Sequence, residues 1–507
     1  MNKIYVLFLG TDNWSLKHTI PQHVEYLFCD NLYNLSDKEQ KRIADAVILD
    51  RNIFSEEIEG LKKITRGYCL FATEHVDMQD TCTAEYFEGK MGQFLYTGDL
   101  ELFMTEETPK LFNYSYGEKF SPNALAVSRS FNGSISCMGN YDLLLEGNFG
   151  DEFAQIAYWR NTIPVFADQS IDLYLEYQKT GTVQIKLRVI QFYNGSVDGV
   201  RKIWEFDENE LADVVTIGKE KEYGPVFISI LAKGEGRFNI ISLHDRHSRN
   251  GRGYFIPGGE RLVTSKGEEI FSYFEKGDMK PPLAVYFSGY RTQEGFEGYY
   301  MMRNFGCPFI LLTDPRSEGG AFYVGDDEFE SMILDEIRNR MTQLGFSNSD
   351  VVLTGASMGT YGSLYYGSRM MPHALILAKP LTNMGTVAEN ERIVRTGGFG
   401  TSLDILLKNY GSLDAEAVEA FDKRLWEYFD EADWSRTKFI VSYLYEDDYD
   451  PDGYYNILTH LKSDGVEVFG KGSHGRHTDN SAVVMEWFKS QYEKLLEEDY
   501  GRQRRSR

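Results

Sequence analysis

A chain of 507 residues is long enough for about three domains at the usual ~150 residues each. Its 42% apolar and 26% charged residues exclude a disordered or low-complexity protein. Lys and Arg number 53 against 77 Asp and Glu, leaving a net charge of −24 that repels phosphate backbones and excludes nucleic acid as a natural partner.

Taken in chain order, short apolar runs at 4–9, 46–49, 69–72 and 94–96 alternate with polar, helix-like stretches. That rhythm predicts βαβ units and an N-terminal Rossmann-like α/β domain over residues 1–120. The first run ends in Leu9-Gly10-Thr11-Asp12, without a G-x-G-x-x-G fingerprint, so no dinucleotide is indicated. From 121 to 275 the texture changes to period-two segments such as Ile171-Asp-Leu-Tyr-Leu-Glu-Tyr177, punctuated by Asn194-Gly-Ser and Pro257-Gly-Gly. This predicts a central antiparallel β-sandwich. Tyr158, Trp159 and Tyr193 are candidates for stacking on sugar rings, with core packing as the alternative, and His244-Asp-Arg-His247 lacks a third ligand and reads as surface. From 276 to 507, apolar runs at 283–287, 308–312, 351–353, 374–377, 439–444 and 466–469 with intervening helical patterns predict a doubly wound, α/β-hydrolase-like sheet. The C-terminal 501–507, with four arginines, reads as a frayed tail. Five scattered cysteines without a C-x-x-C pair call for neither a disulfide framework nor a zinc ribbon. No apolar stretch reaches the ~18–20 residues of a membrane helix. The reading places the chain in the cytoplasm, at most peripheral to the inner face of the membrane.

The strongest local signal is Gly355-Ala-Ser357-Met-Gly359, a G-x-S-x-G pentapeptide after an apolar strand and before a helix, the context of a nucleophile elbow. A serine nucleophile needs an imidazole base, which needs a carboxylate to fix its tautomer, here in the order Ser, acid, His. The loop after 439–444 reads Tyr445-Glu446-Asp447-Asp448, and the loop after 466–469 reads Ser473-His474-Gly475-Arg476-His477. Glu446 is the expected acid, with Asp447 and Asp448 as adjacent alternatives; His477 is preferred to His474 because it lies nearer the following helix. Asp448-x-Asp450-x-Asp452-Gly453 opens like a calcium loop, but its twelfth position is Thr459 rather than Glu, so no metal is expected there. Backbone donors for an oxyanion are expected from Met358, after the serine, and from Tyr290 or Gly289, after the run 283–287. Arg291 and Arg316 are candidate substrate contacts. No cofactor is indicated, and the residues alone reach only a serine acyl-transfer enzyme.

Tyr286-Phe-Ser-Gly-Tyr-Arg291, Leu353-Thr-Gly-Ala-Ser-Met-Gly-Thr-Tyr-Gly362 and Gly475-Arg-His-Thr-Asp-Asn480 together resemble the accessory secretory protein 2 family of streptococci and staphylococci. The resemblance runs along the whole chain and is most specific over 282–488. It implies a cytoplasmic accessory Sec component that O-acetylates N-acetylglucosamine on serine-rich-repeat glycoproteins and supports their export; the acetyl donor is left open. The implied partners are the first and third accessory secretory proteins and the accessory Sec motor ATPase. By position, it carries the family's serine, acid and histidine to Ser357, Glu446 and His477.

Overall fold

The computed structural model describes residues 3–112, 116–196, 198–462 and 465–502. Near the N-terminus, Ile4–Leu9 lies between Val24–Cys29 and Ala46–Leu49, with Leu70–Ala72 and Gln93–Phe94 completing a five-stranded, all-parallel sheet. Every residue of Ile4–Leu9 and Ala46–Leu49 is buried, because a parallel sheet is covered on both faces. That is why these segments read as unbroken apolar runs. Numbered along the chain, the strand order is 2-1-3-4-5, the flavodoxin-like doubly wound order rather than the classic Rossmann one.

Residues 117–247 form one ten-stranded antiparallel sheet rather than two separate ones. Two long strands, Asp142–Trp159 and Gly224–His247, pair with each other and bend at register shifts, so that the sheet folds over its own apolar face. The bend needs glycine: Gly234 and Gly236 have φ of +92° and +144°, and a Cβ on either would lie 2.3 Å from the carbonyl oxygen of Thr182 or Thr180. Trp159 is buried, in the same core as Leu187, Ile230 and Phe238. Tyr193 is exposed, with the Arg201 guanidinium 5.0 Å above its ring.

The remaining chain builds an eight-stranded sheet, whose strands are β1 (Glu260–Val263), β2 (Glu269–Glu275), β3 (Leu283–Phe287), β4 (Phe309–Thr313), β5 (Val351–Ala356), β6 (Ala374–Ala378), β7 (Lys438–Leu444) and β8 (Val468–Ser473). The order is β1-β2-β4-β3-β5-β6-β7-β8, antiparallel at β1 and β2 and parallel from β4 onward, which is the α/β-hydrolase arrangement. The first two strands fall inside the segment expected to be sandwich; their antiparallel pairing gives them the alternating texture of that region, and the sheet begins at Glu260, not near 276. Helices pack on both faces. α1 (Tyr299–Phe305) and the C-terminal Ser481–Tyr500 meet one core, while Asp327–Leu344 and Met358–Met370 meet the other. Arg502 departs from the frayed-tail expectation, because its guanidinium makes paired hydrogen bonds of 2.8 and 2.9 Å to Asp278; residues 503–507 of that tail lie outside the described residues.

His244-Asp-Arg-His247 also departs from its expected place. His244 and Arg246 are each 2% exposed. Both bind the buried carboxylate of Glu294, which belongs to the loop after β3, and Arg246 also binds Glu269 of β2 through bonds of 2.6 and 2.9 Å. Glu294 exchanges backbone hydrogen bonds with Gly117 as well, so this charge cluster welds the folded sheet to the eight-stranded one.

Candidate functional site

β5 ends in a turn where Ser357 has φ +53° and ψ −119°, a region that a residue with a side chain occupies only under strain. Ser357 N–H donates to Ala378 O at 2.8 Å, which pins the turn against the end of β6. The flanking glycines are steric necessities. A Cβ at Gly355 would lie 2.3 Å from the Gly359 backbone, and one at Gly359 would lie 2.0 Å from Phe287 O. The strand, turn and helix therefore pack together only with glycine at 355 and 359, and they lift Ser357 Oγ above the C-terminal edge of the sheet.

Ser357 Oγ meets His477 Nε2 at 2.8 Å, and His477 Nδ1 meets the Asp447 carboxylate at 2.8 and 3.1 Å. Glu446, the expected acid, does not take this place. After β7 the chain turns, so Tyr445 and Glu446 face solvent while Asp447 turns inward. Glu446 instead accepts Gly475 N–H at 2.6 Å and His474 at 2.8 Å, bracing the next loop. Asp447 Oδ1 also accepts Tyr449 N–H at 2.9 Å, which fixes the carboxylate toward the imidazole. Asp448 takes His477 N–H at 3.0 Å together with Arg395 and Arg476. Burial opposes its ionisation, but these donors outweigh it and hold its pKa down at about 2. Asp450, the next carboxylate of the apparent calcium loop, is spent on Thr382 and Asn383.

Two further contacts were not legible in the sequence. Lys379 Nζ donates to His477 O at 2.6 Å and to Ser481 Oγ at 2.7 Å, and its burial lowers its pKa. The Tyr449 ring lies flat on His477, with centroids 4.2 Å apart and planes 6° apart, and Arg395 lies 3.7 Å from the centroid of that ring. Backbone N–H, backbone carbonyl, Nδ1 and ring face of His477 are thus all engaged, and Nε2 is left for the serine. A lysine directly after the buried strand Ala374–Ala378 is the one feature of the sequence that could have drawn attention to this edge.

A cleft of about 450 Å³ opens over Ser357, walled by Tyr290, Leu381, Phe399 and Tyr449 and edged by Glu297 and Glu318. Met358 is the first residue of its helix, so its N–H has no partner within the helix and faces the serine turn. Gly289 is unsuited as a donor, because its N–H is donated to Glu297 at 2.7 Å. Tyr290 N–H meets no acceptor among the described residues, leaving Met358 and Tyr290 as the pair available to an oxyanion. Arg316 is not at the cleft: it is 2% exposed and bound to Asp314 at 2.9 Å, to Glu268 at 3.1 Å and to Val324 O at 2.9 Å. Arg291 lines a neighbouring cleft instead, together with Gln293 and Phe296 of the same loop.

Chemically, the arrangement offers a strained hydroxyl, an oriented base and two backbone donors, which is what acyl transfer through a covalent serine ester requires. Among the described residues no helix is long and apolar enough to cross a membrane.

Residues 4–502 match the family described as Accessory Sec system GspB-transporter. The chain is 34% identical to accessory secretory protein 2 of the accessory Sec system of Streptococcus gordonii, over 99% of this chain and 100% of that one. It is 38% identical to the protein of the same name from Staphylococcus aureus, over 77% of this chain and 75% of that one. A solved chain of the Glycosylation Associate Protein (Gap123) complex from Streptococcus agalactiae is similar with a TM-score of 0.85 and 35% identity, covering 99% of this chain and 100% of that chain. Match and relatives agree along nearly the whole length, and this chain belongs to the accessory secretory protein 2 family of the accessory Sec system.

Proposed function

We propose that the protein is a serine-dependent O-acetyltransferase that acts on N-acetylglucosamine of serine-rich-repeat glycoproteins and supports their export by the accessory Sec system. The observation that carries this reading is the continuous hydrogen-bonded chain from Ser357 Oγ through His477 to Asp447, set in a strained elbow. Ser357 Oγ attacks the acyl carbonyl while His477 Nε2 takes its proton. Asp447 holds the imidazole in the tautomer that leaves Nε2 free to accept, and steadies the imidazolium that forms. Met358 and Tyr290 N–H receive the oxyanion. A sugar hydroxyl then attacks the acyl-serine, giving its proton to His477 as the serine leaves. A cleft walled by aromatic rings and glycine backbone, without Lys or Arg among its lining residues, suits a neutral sugar.

Partnership with the first and third accessory secretory proteins, in the cytoplasm and near the motor ATPase, belongs to the same proposal; it is supported by family membership and by the likeness to a chain of the Gap123 complex. Intact mass of a co-expressed serine-rich-repeat glycoprotein tests the reading. Increments of one acetyl group are expected with the native protein and none with Ser357→Ala. Equal acetylation by both would overturn it, and acyl release to water with no transfer to sugar would make the protein an esterase.

A further inference from the structure

Resting on the acyltransferase reading, we infer that the cleft behind the loop 288–298 binds the phosphorylated, heteroaromatic handle of the acyl donor, a thioester. The loop is a partition. Gly289, Tyr290 and Glu297 line the Ser357 cleft, while Arg291, Gln293 and Phe296 line a second cleft of about 360 Å³. Neighbours along one backbone thus serve two cavities, Phe296 lining one and Glu297 the other.

The two differ in charge. A phosphate entering the Ser357 cleft meets the carboxyl groups of Glu297 and Glu318 and no lining cation. The second cleft holds Arg291, whose guanidinium makes no hydrogen bond or ion pair among the described residues. In a chain of net charge −24, a guanidinium left without a carboxylate is a vacancy for an anion. Arg66, which also lines this cleft, is already engaged by Asp45 at 2.9 Å. Around Arg291 stand Tyr116, Phe296, Tyr299 and Tyr300, flat faces on which a planar base stacks. Next to Tyr116, Gly117 exchanges backbone hydrogen bonds with Glu294, which holds that segment against the loop. One cleft thus suits a neutral hydroxylated acceptor and the other an anionic aromatic group, so the acyl arm must pass around the loop 288–298 to bring the thioester to Ser357.

The chemistry balances without a further reactant. Ser357 Oγ forms a bond to the acyl carbon, the carbon–sulfur bond breaks, and the Oγ proton passes through His477 Nε2 to the departing sulfur. The acceptor hydroxyl later takes the acyl group and restores the serine proton by the same path.

The test uses acetyl-coenzyme A as the phosphorylated probe and p-nitrophenyl acetate as a donor without a handle. Arg291→Ala is expected to raise the KM for acetyl-coenzyme A about tenfold or more relative to the KM for p-nitrophenyl acetate, with Arg291→Lys intermediate. Coenzyme A titrated into the inert Ser357→Ala protein should bind, and bind about tenfold more weakly when Arg291→Ala is added. Unchanged ratios and unchanged binding would overturn the proposal, as would a loss confined to glycosylated acceptors, which would make the cleft an acceptor subsite. Failure of the acyltransferase reading shows separately, as p-nitrophenyl acetate turnover that survives Ser357→Ala.

Discussion

His244 and His477 both rest on buried carboxylates and are themselves 2% and 4% exposed, yet their surroundings give them opposite roles. His244 Nδ1 is bound by Glu294, and Glu176 stands 3.6 Å from its Nε2. The ring is enclosed among charges that join two sheets. His477 has one carboxylate at Nδ1, an aromatic face, and a serine with an open cleft at Nε2. A histidine beside an acid is therefore not in itself a site; the free nitrogen, the strained hydroxyl and the cavity make the difference. Burial sets the cost of the first arrangement, because breaking it leaves charges without partners.

The largest effect that sharpens this contrast falls on His477's acid. Asp447→Asn should lower kcat about 10³- to 10⁴-fold, since the imidazole loses its tautomer, whereas Glu446→Gln should change it by less than about threefold. Steady-state kinetics on the two variants would reverse the assignment if the order came out the other way. At the other histidine, Glu294→Gln should leave Arg246 and His244 half-paired and cost about 3–5 kcal/mol, read as an earlier urea midpoint. A native-like midpoint would show that the cluster does not hold the sheets together.

A smaller effect separates the two histidines by pH. Burial tends to lower the His244 pKa, but Glu294 and Glu176 prevail and hold it above its ordinary 6.5, against the opposing charge of Arg246. The stability it contributes is then complete below pH 6.5 and lost as pH rises through the raised value. The gap in urea midpoint between the native protein and His244→Gln should narrow from pH 6 to pH 9, and a constant gap would contradict this. Smaller still, Lys379→Met should reduce kcat about tenfold by releasing the His477 carbonyl while leaving the KM for a small ester nearly unchanged.

Much of this was legible in the sequence wherever the local pattern and the tertiary demand coincide. Ile4–Leu9 and Ala46–Leu49 announce a parallel sheet because both faces are covered. Gly355 and Gly359 announce the elbow because nothing larger fits. The acid was misplaced by one residue, since in Glu446-Asp447-Asp448 all three carboxylates are chemically eligible and only the turn after Leu444 decides which faces inward. Arg316 resembled a site residue because it follows a strand at the correct edge, and its burial by Asp314 and Glu268 is a tertiary fact. The boundary near 276 failed because β1 and β2 share the antiparallel alternation of the sheet before them.

In the proposed mechanism Ser357 carries the acyl group. Rapid quenching of the protein during turnover of p-nitrophenyl acetate, followed by peptide mass analysis, tests it directly. One acetyl increment is expected on the peptide containing Ser357 and none in Ser357→Ala; an acetyl group on any other residue, or turnover undiminished in that variant, would contradict this role for the serine.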